Sequence, residues 1–401
     1  MPNLKIYPTP KPVFLKSLDT FSKWFAFMPT FPLGWDIPSQ KLVSYQNPHH
    51  LRAWRALAVT LFLSNSVLLV LLLSEILGLV ELLVSEVILS VLFLSLCGLA
   101  AILDFITATF TREAAEAFNC LAILENEIGR SPSKSNKPPF VTIMVNAIPV
   151  LFAPFGFIIP ICGIYLGLDT YSMLENYLIP DRWRHVVKFV LIPFKLSLIG
   201  AGLFSARVFS LLISFPALAS DFMFAAISSL SKRAGILKTS KATKYLVNYS
   251  SCQIILTIMS PFSAPCVATI LFYSFILTIL NNFISLKMYH VIPLPPFAYF
   301  PMSAVLIPTM VRIVVPMMIS IHTDSTNLID QWGHILVKTC DKKYIARLIK
   351  AQRRLQIYAG FAQHNCFSCV RSTLPTYFEA VLNYTITALM SIDASDFDVE
   401  M

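Results

Sequence analysis

What most constrains this chain is the way its apolar runs alternate with its positive charge. Seven apolar stretches, 56–76, 83–106, 141–166, 186–209, 252–280, 297–321 and 377–392, divide the sequence. At ~1.5 Å per helical residue the first six each reach across a ~30 Å hydrocarbon layer, and the seventh does so once its polar start is included. Lys and Arg gather in every second connection. The segment before the first stretch holds Lys5, Lys11, Lys16, Lys23, Lys41, Arg52 and Arg55, and the second connection adds Arg112, Arg130, Lys134 and Lys137. The fourth holds Lys232, Arg233, Lys238, Lys241 and Lys244, and the sixth runs from Lys338 to Arg371 with six further bases between them. The other side has only Arg182, Arg184, Lys188 and Lys287, and an acidic tail with Asp393, Asp396, Asp398 and Glu400.

Because basic loops stay in the cytoplasm, this asymmetry predicts a cytoplasmic N-terminus and an extracellular C-terminus, opposite to a heptahelical G-protein receptor. The fold expected is all-α: a polytopic membrane protein with seven transmembrane helices and long cytoplasmic helical extensions. Five segments follow: 1–55, a cytoplasmic N-terminal segment; 56–321, a membrane domain with six helices; 322–371, a cytoplasmic helical anchor; 372–392, the seventh helix; and 393–401, the acidic extracellular tail. With 56% hydrophobic and only 13% charged residues, the composition is that of a bilayer protein rather than of a soluble one, which carries about 25% charged residues. The net charge of +9 is then explained by cytoplasmic loops facing anionic lipid, so the partner expected is the bilayer and not a nucleic acid. No cleavable leader is evident before the first stretch, which is expected to direct insertion into the plasma membrane.

Glu75, Glu81 and Glu86 interrupt the long run 56–103, which is too long for one crossing, so they mark an outer hairpin turn. The second and fourth helices should continue into the cytoplasm, and 323–371 should form amphipathic helices packed on one another. Gly163 and Gly167, spaced as GxxxG, suggest close helix packing inside the bundle. The eight cysteines form no disulfide framework. His364, Cys366 and Cys369 have ligand-like spacing, but a structural zinc site needs four ligands, so reduced thiols are expected there and no metal or cofactor. The sequence contains no nucleotide-binding loop, nucleophile elbow or HExxH motif, and an enzyme is not expected.

The last stretch carries a polar stripe. Thr376, Glu379, Asn383, Thr387 and Ser391 fall within roughly 60° either side of one line on a helix. Polar groups in hydrocarbon need water or a partner, so the stripe lines an aqueous path or joins helices by hydrogen bonds. Arg312, in the sixth stretch, and Glu379 lie at similar depth, which makes them an ion-pair candidate; the alternative is a cation-attracting ring of Glu379 side chains. Lys195, mid-depth in the fourth stretch, either meets an anionic group or reaches a carbonyl. Arg207 should snorkel to lipid phosphate. Tyr165, Tyr273 and Tyr289 are candidates, with Lys195, for an outer ligand pocket, or are packing and interface residues.

The run Thr376-Tyr377-Phe378-Glu379-Ala380-Val381-Leu382-Asn383-Tyr384 resembles the last-helix signature of the arthropod seven-transmembrane chemoreceptors, the insect gustatory and odorant receptors: Thr-Tyr, five apolar residues, then Gln-Phe. Asn383, Tyr384 and Glu379 depart from that pattern. Segments 31–36 and 287–295 also look like springtail gustatory-receptor-like proteins. The resemblance implies a chemosensory, ligand-gated cation channel built as a homo- or heterotetramer. Its seventh helices would surround the pore, and a small-molecule ligand of unknown identity would bind among the outer helix halves. It puts Ala380 at the gate and Asn383 at the pore-lining position, beside Thr376, Glu379, Thr387 and Ser391. A seven-pass transporter or scaffold sharing the fold is the alternative; transporters usually carry internal repeats, and the two halves of this chain show none.

Overall fold

The computed structural model describes residues 15–47, 49–128, 139–167, 169–234, 239–336, 342–361 and 364–392. The acidic tail at 393–401 and much of the basic linkers lie outside them.

Long helices dominate: α1 (Leu15–Trp24), α2 (Arg52–Ile76), α3 (Val84–Ile128), α4 (Pro139–Leu166), α5 (Thr170–Tyr177), α6 (Asp181–Ala234), α7 (Thr239–Lys287), α8 (Leu294–Phe297), α9 (Tyr299–Leu336), α10 (Lys342–Ala351) and α11 (Thr373–Ser391). Among the described residues six helical segments, in α2, α3, α4–α5, α6, α7 and α9, are long and apolar enough to cross a membrane. The 54 residues of α6 amount to ~80 Å of helix, and the 45 of α3, kinked at Phe110 where φ is −114° and ψ 23°, to ~68 Å, more than twice a hydrocarbon layer, so both must project beyond it. Some hydroxyls buried along these helices bond to carbonyls one turn back, as Thr107 does to Leu103 and Thr278 to Ser274, whereas those of Ser210 and Ser214 in α6 and Thr269 in α7 find no partner among the described residues.

The turn after α2 is built as its three glutamates suggest. Gly78 adopts φ 66°, its N–H reaches Glu75 O at 2.9 Å, and Leu79 N–H reaches Ser74 O at 2.9 Å, a Schellman closure that needs glycine's left-handed freedom. The Glu75 carboxylate accepts from Leu82 N at 2.7 Å, tying the loop before α3 starts.

The chain is mostly helical, with a little strand that an all-α reading leaves out. Two short antiparallel hairpins stand outside the bundle, β1 (Leu33–Asp36) with β2 (Lys41–Ser44), and β3 (Tyr358–Phe361) with β4 (His364–Ser368). The first docks on α3, where Asn119 both accepts from Leu42 N at 3.0 Å and donates to Leu42 O at 2.9 Å. The second packs on α7; within 322–371 the end of α9 and α10 are helices packed on one another, as the periodicity suggests, and the chain after Ala351 leaves helix for this hairpin. Leu355 and Ile357 lie in extended chain, and Tyr249 and Gln253 of α7 donate to Arg353 O at 2.9 and 2.6 Å. Trp332 of α9 is fully buried against Tyr249, their ring centroids 5.7 Å apart.

Arg207 does not snorkel. It donates to Pro29 O and lies 5.2 Å from the Phe31 ring centroid, pinning the N-terminal segment to α6. Nor do Gly163 and Gly167 make a close helix contact, for a Cβ on either meets nothing within 4 Å. The close approach of α4 to α6 is one turn or more earlier in α4. A Cβ on Gly202 would fall 2.4 Å from Pro160 Cγ and 2.5 Å from Gly156 O.

Candidate functional site

Two features carry chemistry: the C-terminal helix and a cavity inside the bundle. α11 packs chiefly on α7, through one face. Val381 and Thr385 are its buried residues, Tyr377 Oη donates to Ser274 Oγ at 3.1 Å, and Asn282 Nδ2 donates to Thr385 Oγ1 at 3.4 Å. Phe275 meets the rings of both Tyr377 and Tyr384, and Lys287 at the end of α7 donates to Ile392 O. At ~100° per residue, Asn383 points about 200° away from Val381. Thr376, Glu379, Asn383, Thr387 and Ser391 are accordingly exposed in the single chain, with Ala380 partly so. Thr387 and Ser391 bond to carbonyls of their own helix, while the side chains of Thr376, Glu379 and Asn383 make no hydrogen bond to the rest of the described chain. Arg312 is exposed on α9, and no ion pair joins it to Glu379 among the described residues, because α11 sits against α7 and barely touches α9.

The cavity, about 830 Å³, is walled by α3, α4, α6, α7 and α9 and touched by α2. Its size is that of small-molecule sites generally. Gly156 and Pro160 of α4 and Gly202 and Ala206 of α6 form the close-packed part of its wall, and Phe93, Phe152 and Phe209 line it beside them. Asp169 and Thr170 close one end.

That end is sealed by α5, which the sequence presents as an outer loop. Instead Thr170, Tyr171, Ser172, Met173 and Glu175 are buried. Asp169 caps the helix, its Oδ1 accepting from Tyr171 N at 3.0 Å and Ser172 N at 3.1 Å, and its other oxygen accepting from the Ser172 hydroxyl. Tyr171 Oη lies 3.3 Å from Ser64 Oγ of α2, Ser90 Oγ of α3 donates to Met173 Sδ at 3.4 Å, and Tyr177 donates to Glu86. Lys195 of α6 completes the cluster, with Nζ 3.3 Å from Glu175 and 2.8 Å from Ser172 Oγ.

None of the four pocket candidates lines the cavity. Tyr165 is 87% exposed, Tyr289 is exposed beside His290, and Lys195 is engaged with Glu175. Tyr273 stands behind the wall, where its hydroxyl would lie 3.1 Å from a Cβ on Gly98. Of the residues lining this cavity the sequence offered Pro160 and Gly163 of α4, and nothing in it marked the polar cluster on α5.

Compared with solved structures, the chain is similar to the insect olfactory receptor OR5 from Machilis hrabei in complex with eugenol, with a TM-score of 0.62 and 14% identity over 94% of this chain and 98% of that one. It is similar also to a second structure of that receptor, with a TM-score of 0.54 and 12% identity over the same shares. No protein-family model and no curated protein sequence matches. At these identities the likeness establishes the fold, and this chain has the fold of an insect olfactory receptor.

Proposed function

We propose that this chain is a chemosensory receptor of the plasma membrane that opens a cation path when a small molecule binds. Four copies assemble with α11 as the seventh crossing around the axis, the N-terminus in the cytoplasm and the C-terminus outside. The observation that carries the reading is the two-sidedness of α11: one face is packed on α7, and the opposite face offers Thr376, Glu379, Asn383 and Thr387 to whatever surrounds the chain. In hydrocarbon such a face is costly, whereas around a shared axis it meets water. The cavity supports a ligand site, and one of the similar structures is a complex with a small molecule, eugenol.

The test is current from reconstituted full-length protein, with single cysteines at Asn383 and Thr387. A hydrophilic thiol reagent should alter the current at both positions and leave a cysteine at Val381 unmodified. Protection of all three, or protein that conducts nothing under any ligand tried while monodisperse, overturns the pore.

A further inference from the structure

The cavity is long. Its wall runs on α6 from Leu198 to Pro216, about 27 Å, and on α9 from Tyr299 to Met318, about 28 Å, close to the ~30 Å thickness of a hydrocarbon layer. The wall is apolar for most of that length. The hydroxyls of Ser205, Ser274 and Thr309 donate to carbonyls of their own helices, at Ala201 O, Leu271 O and Val305 O, which leaves them only as neutral acceptors, weaker than a carboxylate. Among the described residues Asp169 is the charged group of the wall, and it stands at one end. Of about four lone-pair positions on its carboxylate, three are taken by Tyr171 N, Ser172 N and the Ser172 hydroxyl, which leaves one for a donor.

One side of the cavity is open. α4 and α9 each pack on α6 but make no substantial contact with one another. The rim on α9 is formed by Met302 and Val305, 57% and 70% exposed, and the outward face of α4 nearby carries exposed Phe157 and Ile158. A gap framed by exposed apolar side chains on membrane-length helices faces hydrocarbon, so its occupant arrives from the bilayer.

From this length, this carboxylate at one end and this opening, we infer that the cavity receives a single-tailed long-chain alcohol. Its hydroxyl donates to Asp169 and its tail lies along α6 between α4 and α9. The inference rests on reading the cavity as the ligand site. A carboxylate head group is disfavoured, because it would meet Asp169, and the one cation of the cluster, Lys195, is already held by Glu175.

The experiment is photolabelling of the full chain in phosphatidylcholine nanodiscs with octadecanol bearing a diazirine at its tail end. Labelled peptides should contain Pro216 or Met318, whereas hexanol with the same group should label nearer Ser64 and Cys97. Unlabelled octadecanol should compete, and octadecanoate should compete roughly tenfold or more less effectively, as one like charge at contact range demands. Asp169→Asn keeps an equally good helix cap and should bring the two competitors to within about threefold. Val305→Trp, on the exposed rim, should abolish labelling without loss of monodispersity.

Labelling at the same residues for both chain lengths, labelling indifferent to Val305→Trp, or equal competition by octadecanoate overturns the inference. So does displacement by added phosphatidylcholine, which would make the occupant an ordinary lipid. Intact, length-dependent labelling without any current sinks the channel reading and leaves this one standing. Ligand-evoked current with length-independent labelling does the reverse.

Discussion

Lys195 and Glu175 meet 3.3 Å apart, though one lies fourteen residues, ~21 Å, inside α6 and the other on a short helix that closes the cavity. Their side chains are 17% and 9% exposed, so neither charge has free access to water. Such a pair contributes little net stability, but a lone partner is expensive because its desolvation is no longer offset. The pair therefore fixes α5 against α6, and the Lys195 bond to Ser172 extends that hold to Asp169.

Lys195→Met should thus destabilise the chain by about 3–5 kcal/mol, the usual effect of orphaning a buried charge. A fall in the thermal midpoint of detergent-purified protein is the readout. The double variant Lys195→Met with Glu175→Gln should recover more than half of the loss. A single variant as stable as the parent would mean that Glu175 finds water, and that α5 is held by its apolar contacts alone.

The contact of α4 with α6 makes a second, sharper claim. Gly202→Val places atoms within 2.4 Å of Pro160 and 2.5 Å of backbone at Gly156, and backbone cannot yield as a flexible side chain does. This variant should fail to give a monodisperse peak in size exclusion. Gly163→Ala, at a position with open space around it, should elute as the parent does. Normal behaviour of Gly202→Val would contradict the packing of the two helices.

The contrast between these glycines shows what the sequence could disclose. Apolar length and charge are properties of single segments, so the long crossings, the glutamate-marked turn at Gly78 and the continuation of α3 to Ile128 are legible residue by residue. The polar stripe of α11 is legible for the same reason, since one helix carries all of it. Gly156 and Gly202 are 46 positions apart, and nothing local distinguishes them from Gly163. The pairing of Lys195 with Glu175 is equally non-local, and the letters of 169–177 read as an outer loop with Tyr171 and Tyr177 at the membrane interface until Tyr171 and Met173 are seen buried. The hairpins escaped because strands of four or five residues are shorter than the window in which periodicity speaks. The cavity is an absence of side-chain volume, which no motif records.

Cys366 and Cys369 lie in one short segment and should behave oppositely. Cys366 is exposed on β4, while Cys369 is 2% exposed, its N–H bonded to Ile357 O at 3.1 Å, and burial pushes its thiol up to about 11. Thiolate is the reactive form, so at pH 8 only about one Cys369 in a thousand is ionised. A raised thiol pKa keeps the group neutral until the pH nears that value, so moving from pH 7 to 9 should not make Cys369 reactive. Mass spectrometry after maleimide treatment of folded protein should find Cys366 modified and Cys369 modified only after denaturation. Equal labelling would show that the hairpin opens freely from α7.

Glu379 carries the last prediction, because it has no intramolecular partner among the described residues. It is exposed on the side of α11 turned about half a turn from Val381, and Arg312, also exposed, forms no ion pair with it among the described residues. A structural role within one subunit would need burial or a bond, and neither is present among the described residues. Glu379→Gln should therefore leave thermal stability within about 0.5 kcal/mol of the parent, as surface changes usually do. If four copies bring this residue to a shared axis, the same change removes four negative charges from the path of permeating ions. The cation-to-chloride permeability ratio, read from the reversal potential in asymmetric salt, should fall, while Arg312→Gln should leave it unaltered. Loss of assembly in both single variants, with recovery on exchanging Arg312 and Glu379, would instead mean that the two charges pair between neighbouring subunits and that the seventh helix is held there rather than facing ions.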